Sequence, residues 1–190
     1  MTAFVRDPEK LERTDVSVAV GDARSVDDLD RALRGQDAVI SALGSGLNAK
    51  QSPIEDSTTA LLRAMPKTDV KRLVMLSTFA ASQTFRATGL MKLASMLMSG
   101  IVADKTAGEA LLKRSDLDWT IVYATRLTDE PRSGEYRTVD GTLTDVGTIS
   151  RADLADALLS TLSDPTSVRQ NRVVTGSSPK PGLTLRAIPR

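Results

Sequence analysis

No cysteine and no histidine occur in these 190 residues. The first absence excludes disulfides, a thiol nucleophile and a Cys-ligated metal. The second removes the commonest general acid–base and the commonest metal ligand. Proton chemistry must come from Ser, Thr, Tyr, Lys, Asp or Glu, or from a substrate. Aromatic residues are only 3% of the chain, too few to suggest base-stacking platforms. An excess of one charge is also missing: 25 basic and 24 acidic side chains leave +1, so no global field draws the chain to nucleic acid or an anionic membrane. The longest apolar stretch, GLMKLASMLMSGIVA from Gly89 to Ala103, contains Lys92 and is too short to span a bilayer. We read it as a buried or interface helix. Arg6, Asp7, Glu9 and Lys10 stand where a signal peptide would be apolar, so a cytoplasmic protein is expected.

What is present is an ordinary balance of 41% hydrophobic and 26% charged residues, enough for one domain with a sizeable core. The apolar pattern assigns residues 1–176 to that domain and leaves the Pro-rich residues 177–190 as a loosely held tail. TAFV (Thr2 to Val5) and VSVAV (Val16 to Val20) have strand character. Ser25 is placed to cap a helix whose inner face is Leu29, Ala32 and Leu33, with Gly35 at its end. DAVISAL is a third strand. A helix follows from about Glu55 to Met65, closed by Pro66. RLVMLST (Arg72 to Thr78) is nearly all apolar, as in a strand buried on both faces. Helical periodicity covers Gly89 to Arg114 with a break near Ser99-Gly100, and DWTIVYA is another strand. A loop and short hairpin turning at Asp140-Gly141, a helix capped by Ser150 and the strand NRVVTG complete the domain. This alternation predicts an α/β fold with a mostly parallel sheet, and such sheets bind ligands at the carboxyl ends of their strands.

The residues at those ends are the candidates. Arg6 follows the first strand, where a guanidinium suits a ribose 2′-phosphate; the plain alternative is a solvated surface arginine. Gly21 allows close backbone approach, and Asp22 is able to accept from an adenine amino group, or the pair is an ordinary turn. Ala42, Leu43 and Gly44 are small enough, in the main, for a ribose to pack on backbone. Ser77 and Thr78 carry hydroxyls at a strand end, suited to a substrate carbonyl or merely to capping. Lys105 and Glu109 are four apart, which also suits a simple helix-surface pair. Tyr123, Thr125 and Arg126 end the next strand.

The segments TAFVRDPEKLE, VAVGDARSVDDLDRALRGQDAVISALG, KRLVMLST, ADKTAGEALLKRSDLDWTIVYATRLTD and ISRADLADALLSTL, in that order, resemble the NAD(P)H-binding, NmrA-like branch of atypical short-chain dehydrogenases, in the style of flavin reductase/biliverdin-IXβ reductase-like proteins. The resemblance runs from Thr2 to about Gly176 and implies a Rossmann-like, doubly wound fold with NADP (NADPH) as cofactor. By resemblance, Arg6 grips the 2′-phosphate, Asp22 and Ala23 flank the adenine, and Ala42, Leu43 and Gly44 line the ribose. Ser77 and Thr78 lie by the nicotinamide, Lys105 approaches its ribose, and Tyr123, Thr125 and Arg126 cover its far side. Ser77, Thr78 and Lys105 are then the catalytic candidates. The implied partner is a small-molecule acceptor (flavin, quinone or carbonyl), with an NADP-sensing regulator that does not turn over as the alternative. No nucleic-acid or membrane partner is expected; a homodimer or protein contact through the Met-rich segment Leu90 to Met98 is.

Three features depart from the family. The Gly-rich turn G-A-T-G-x-x-G is absent, no Tyr-x-x-x-Lys occurs, and a strand-end Arg-Pro reads Tyr123-Ala124. In the order 3-2-1-4-5-6 the first strand is central, so its loss leaves two edges facing an empty slot. A natural start upstream, another segment filling the slot, and a degraded relative all account for this. The cost of open edges favours the first.

Overall fold

The computed structural model describes residues 1–12, 15–44, 53–82, 99–139 and 147–176. Strands β1 (Thr2–Val5) and β2 (Ser17–Val20) form a parallel pair in register from Thr2 opposite Ser17 to Val5 opposite Val20. Helix α1 (Val26–Leu33) starts on Ser25, whose hydroxyl accepts from the Asp28 amide. Asp27 and Asp28 complement the positive end of its dipole and Arg31 the negative end. Gly35, at φ 71°, supplies the left-handed turn that ends it.

The remaining strands build a larger sheet. β3 (Ala38–Ser41) leads through α2 (Pro53–Ala64) to β4 (Arg72–Thr78), and α3 (Ser99–Lys113) precedes β5 (Asp118–Ala124). After the short β6 (Arg126–Thr128), β7 (Tyr136–Val139) and β8 (Thr148–Ser150) come α4 (Arg151–Ser163) and β9 (Gln170–Gly176). The five-stranded order is β3-β4-β5-β9-β7, parallel except for β7 against β9. β6 and β8 form a separate parallel pair.

Strand alternation distributes side chains to two cores. Leu73, Met75, Trp119 and Ile121 face the side of α1, α2 and α3, meeting Leu29, Leu61 and Leu112. Val74, Val122, Ala124 and Val174 face the opposite side, against Leu154, Ala157 and Leu158 of α4. Helices on both faces make a doubly wound three-layer fold, as the sequence predicts. Each fully buried Leu, Ile or Val contributes about 1.5–3 kcal/mol relative to exposure.

One polar network locks the amino ends of the strands. Arg72 donates to the carbonyls of Asp118, Thr161 and Leu162, and to Thr120 Oγ1 and Ser167 Oγ. All its guanidinium nitrogens are used, so the end of the sheet away from the candidate site is closed by structure.

The sheet is split. Among the described residues β1 does not pair with β3, and the strand expected between them has no counterpart. The consequence is visible in exposure. β4 and β5 are largely buried, whereas β1 and β3 are half-buried along their length and Val20 of β2 is 58% exposed. The β1–β2 pair is held instead by Phe4 and Val26 packing on the first core. The hairpin turn expected at Asp140-Gly141, the helical stretch expected before Ser99 and the 177–190 tail lie outside the described residues. Tyr136–Val139 is a strand, and it pairs with β9. No helix among the described residues is long and apolar enough to cross a membrane.

Candidate cofactor site

The carboxyl ends of β3, β4 and β5 meet the inner face of α3, where Lys105, Gly108, Glu109 and Leu112 are all buried. Positions 105, 108, 109 and 112 form one helical stripe. Gly108 allows α3 to lie close on α2: an added Cβ would meet Thr58 Oγ1 at 3.0 Å and Ile54 Cγ2 at 3.1 Å. Asp104 completes this contact by accepting from the amides of Ile54 and Glu55 at the start of α2. A carboxylate thus already occupies the helix terminus that otherwise attracts a phosphate.

Lys105 does not form the helix-surface pair with Glu109 that the spacing suggests. Its Nζ donates to the carbonyl oxygens of Leu43 (3.3 Å) and Leu76 (3.1 Å), bridging the ends of β3 and β4. Burial lowers its pKa from the ordinary value, against the opposing charges of Glu109 and Asp104. An ammonium poised in this way is a better proton donor than a solvated lysine.

Glu109, 3% exposed, gathers a different set. Ser77 Oγ donates to Oε1 at 2.6 Å, Tyr123 OH donates to Oε2 at 2.5 Å, and Lys113 Nζ lies 3.4 Å from Oε2. Ser77 and Tyr123 are cross-strand partners, so parallel register puts both hydroxyls under one carboxylate. Burial first, then the bond to Glu109, pushes the Tyr123 phenol well above its ordinary pKa. Each hydroxyl has one proton, and both are committed to Glu109. Thr78, one residue on from Ser77, points to the opposite face and is half-buried. Thr125 is buried beside Thr175 Oγ1 at 3.2 Å, and Arg126 is exposed.

A second group of residues lies at the carboxyl ends of β1 and β2. The Gly21 amide donates to the Val5 carbonyl, joining the two strand ends just before Asp22 and just before Arg6. Gly21 is required by space: a Cβ there would lie 2.7 Å from the Phe4 ring and 2.8 Å from Asp28 Cβ. The Asp22 amide donates to Asp28 Oδ2 at 2.9 Å. The Asp22 carboxylate is clamped by Arg24, through its backbone amide, Nε and Nη2, the last at 2.7 Å. These bonds, with the nearby charges of Arg24 and Arg6, hold the Asp22 pKa down at about 2. Arg6 is exposed and Ala23 half-buried; Ala42, Leu43 and Gly44 are exposed beyond the end of β3.

The structure therefore groups the sequence candidates in two places. Lys105, Leu43 and Ser77 meet at the β3–β4 ends; Arg6, Asp22 and Ala23 gather at the β1–β2 ends. Leu90 to Met98, the expected contact segment, lies outside the described residues. Sequence reasoning named Glu109 only as a helix-surface partner of Lys105, and did not name Arg24. A signal for Glu109 exists: an acidic residue on the same stripe as Gly108 and Leu112 must be buried and must find partners. Arg24 carries no such signal, because turn residues lack periodicity.

These groups fit the two ends of a nicotinamide dinucleotide, a cationic edge for the adenosine side and a buried amine for the other. The central donors are less evident, since the starts of α1 and α2 are capped by Ser25 and Asp104. The chain is similar to the oxidoreductase ylbE of Lactococcus lactis, at 21% identity and a TM-score of 0.75 over 93% of this chain and 80% of that one. It is similar to a wide-type short-chain dehydrogenase/reductase from Veillonella parvula solved in complex with NADP, at 22% identity and 0.72 over 95% and 82%. It is also similar to ChuY, an anaerobilin reductase of Escherichia coli O157:H7, at 20% identity and 0.76 over 95% and 86%. At these identities the likeness shows a shared Rossmann-like fold. A family model described as NAD(P)H-binding matches residues 1–165, and the chain belongs to that NAD(P)H-binding family.

Proposed function

We propose that this chain is an NADPH-dependent oxidoreductase serving a flavin, quinone or carbonyl acceptor. The observation that carries the reading is the Lys105 amine, buried and fixed on the carbonyls of Leu43 and Leu76 at the ligand edge of the sheet. When bound, the nicotinamide supplies hydride chemistry. Lys105 orients the cofactor's ribose and holds a proton on Nζ, which its depressed pKa makes easier to release. Leu43 and Leu76 fix the amine through their carbonyls. Arg6 and the Asp22–Arg24 turn bind the adenosine end, with Ala23 beside it and Ala42 and Gly44 along the path between. Thr78 and Arg126, both at strand ends, are the remaining contacts on the acceptor side. Acceptors that need little help with protonation suit a chain without histidine.

The test is NADPH oxidation by the purified protein against a panel of free flavins, quinones and small carbonyl compounds. Turnover with at least one acceptor is expected. Lys105→Met should lower kcat/KM by about 100-fold or more, the range of a lost proton donor. Absence of turnover across the whole panel overturns the enzyme reading.

A second reading has its own support: Ser77 and Tyr123, two buried hydroxyls under α3, both give their protons to Glu109. That arrangement suits an NADP-sensing protein that binds without turnover. Tight NADPH binding with no oxidation by any acceptor selects it.

A further inference from the structure

The β1–β2 pair leaves one edge and one face without cover. β2 pairs with β1 alone, so its other edge is open among the described residues. The amides of Ser17 and Gly21 donate to the carbonyls of Met1 and Val5. Alternate residues of a strand turn to the same neighbour, so the N–H and C=O groups of Val18 and Val20 point out from the open edge. Register sets Val18 beside Ala3 and Val20 beside Val5, on the face opposite Phe4, which packs on the first core. The second core, on the other side of the sheet under α4, takes in no residue of either strand among those described. Val18 is accordingly 45% exposed and Val20 58%.

Sheet edges are commonly guarded by charge or proline, and β7, an outer strand of the large sheet, carries the exposed Arg137. Residues 16–20 read Val-Ser-Val-Ala-Val, with neither guard. The apolar pattern of that run is the same from either end, with Val18 at its centre. We propose that β2 is a self-association edge, at which two copies of the chain pair antiparallel across a two-fold axis at Val18. Val18 then meets Val18 of the second copy, and Val20 meets its Val16. Hydrogen-bonded antiparallel pairs need residues whose backbone groups face the partner, and Val18 and Val20 are those residues. The exposed valines of both copies come together on one face of a ribbon β1-β2-β2-β1, each covering apolar surface of its neighbour. No like charges are set opposite each other, since Asp15 stands across from Gly21 of the second copy. The symmetry of the run selects a second copy over an unrelated strand, because an isologous contact must be complementary to itself. The two Asp22 residues fall at opposite ends of the paired run, so both carboxyl edges stay open to a ligand. The pairing stands independently of which ligand that is.

The test is sedimentation equilibrium of the full chain. The paired run is short beside the roughly 20–30 residues a side of a standard interface, so a Kd of about 10–100 μM is expected. Across that range the mass should rise from 20.3 kDa toward twice that value. Val18→Pro removes an outward N–H that β1 does not use, and Val18→Lys sets two ammoniums face to face; each should weaken association by at least about 100-fold. Leu159→Lys, on the exposed side of α4, should leave it unchanged. Because the chain has no cysteine, a crosslink gives a second measurement should those variants fail to fold. Opposed residues of a hydrogen-bonded antiparallel pair have Cα atoms about 5.5 Å apart, within disulfide reach. Under mild oxidation Val18→Cys should crosslink to itself, and Val20→Cys, whose two copies are out of register, should do so at least about tenfold more slowly. A chain still monomeric at about 500 μM, well above the expected Kd, overturns the proposal, even if it captures a foreign strand. So does a dimer that folded Val18→Pro and Val18→Lys leave intact, or one that Leu159→Lys breaks. Crosslinking at Val20→Cys as fast as at Val18→Cys, or none at Val18→Cys, overturns it as well.

Discussion

Two polar clusters lie along the same carboxyl edge, and they differ in how much water reaches them. Ser77, Glu109 and Tyr123 are sealed between the large sheet and α3, with Glu109 only 3% exposed. Asp22 and Arg24 keep about two-fifths of their side chains in water. The chemistry of the bonds is similar, oxygen acceptors with strong donors, but their consequences are not. A buried carboxylate must be satisfied by fixed partners, so its cluster sets geometry and has little freedom. An exposed pair contributes little stability and can re-form around an arriving anion. The first cluster is fixed by its partners, and the second is open to solvent.

The largest expected effect breaks the sealed cluster. Glu109→Ala removes the acceptor of two hydroxyl bonds, each worth about 1.5–3 kcal/mol to a charged group, and strands both hydroxyls. A loss of about 4 kcal/mol is expected, read from the urea midpoint. Glu109→Gln, which keeps one acceptor oxygen, should lose about half of that. If Glu109→Ala costs less than Asp22→Ala, the contrast between the clusters is wrong.

The second prediction carries the comparison from clusters to sheets. In Gly176→Ala, at the buried end of β9, the new Cβ would press on the backbone carbonyl of Thr148 in the neighbouring β8, and backbone cannot move aside cheaply. In Gly21→Ala it would meet the Phe4 ring and Asp28 Cβ, side chains of the half-exposed β1–β2 region. Overpacking costs about 1–3 kcal/mol, and we place Gly176→Ala near the top of that range and Gly21→Ala near the bottom. Equal losses in thermal unfolding would show that the β1–β2 layer is as rigid as the core.

The same contrast explains what the sequence made legible. β4 and β5 were readable because strands buried on both faces are nearly continuous in apolar residues, as Arg72 to Thr78 and Asp118 to Ala124 are. Ser25 and Ser150 were readable as caps because an acidic residue follows each three positions on, and in both cases the hydroxyl accepts from that residue's amide. The pairing of Arg126–Thr128 with Thr148–Ser150 was not, since three residues are too few to show alternation. In the site, strand-end residues were found by position alone. What each side chain touches was not, because Lys105 reaches 29 and 62 residues back along the chain to find its acceptors. Spacing on one helix suggested Glu109; the carbonyls of two strands won because an amine buried under their ends has acceptors there already in place.

The third prediction uses pH to sharpen the comparison. Burial holds the Lys105 pKa below its ordinary 10.5. Between the lowered value and 10.5 the unfolded chain binds a proton that the folded chain does not, so stability rises with pH across that window. Below the window both states are charged and the fold carries the whole cost of the buried ammonium. Lys105→Met should abolish the rise in urea midpoint on approaching pH 10.5, and should be no less stable than wild type near neutrality. A rise that persists in the variant assigns it to another group.

The smallest effect separates charge from hydrogen bonding within the sealed cluster. Lys113 is the cation nearest Glu109, but it stands 3.4 Å away with 28% of its side chain exposed. An i, i+4 pair of that kind is worth about 0.3–0.5 kcal/mol. Lys113→Met should therefore cost no more than about 0.5 kcal/mol, and added salt should leave wild type and variant equally shifted. If it costs as much as Glu109→Ala, the carboxylate is held by its counter-ion. The two hydroxyls would then be passengers, free to turn toward a ligand, and Ser77 would return as a donor to the acceptor side of the site. A small cost means that Ser77 and Tyr123 hold Glu109 in place, and Lys105 is left as the proton-bearing group at this end of the sheet.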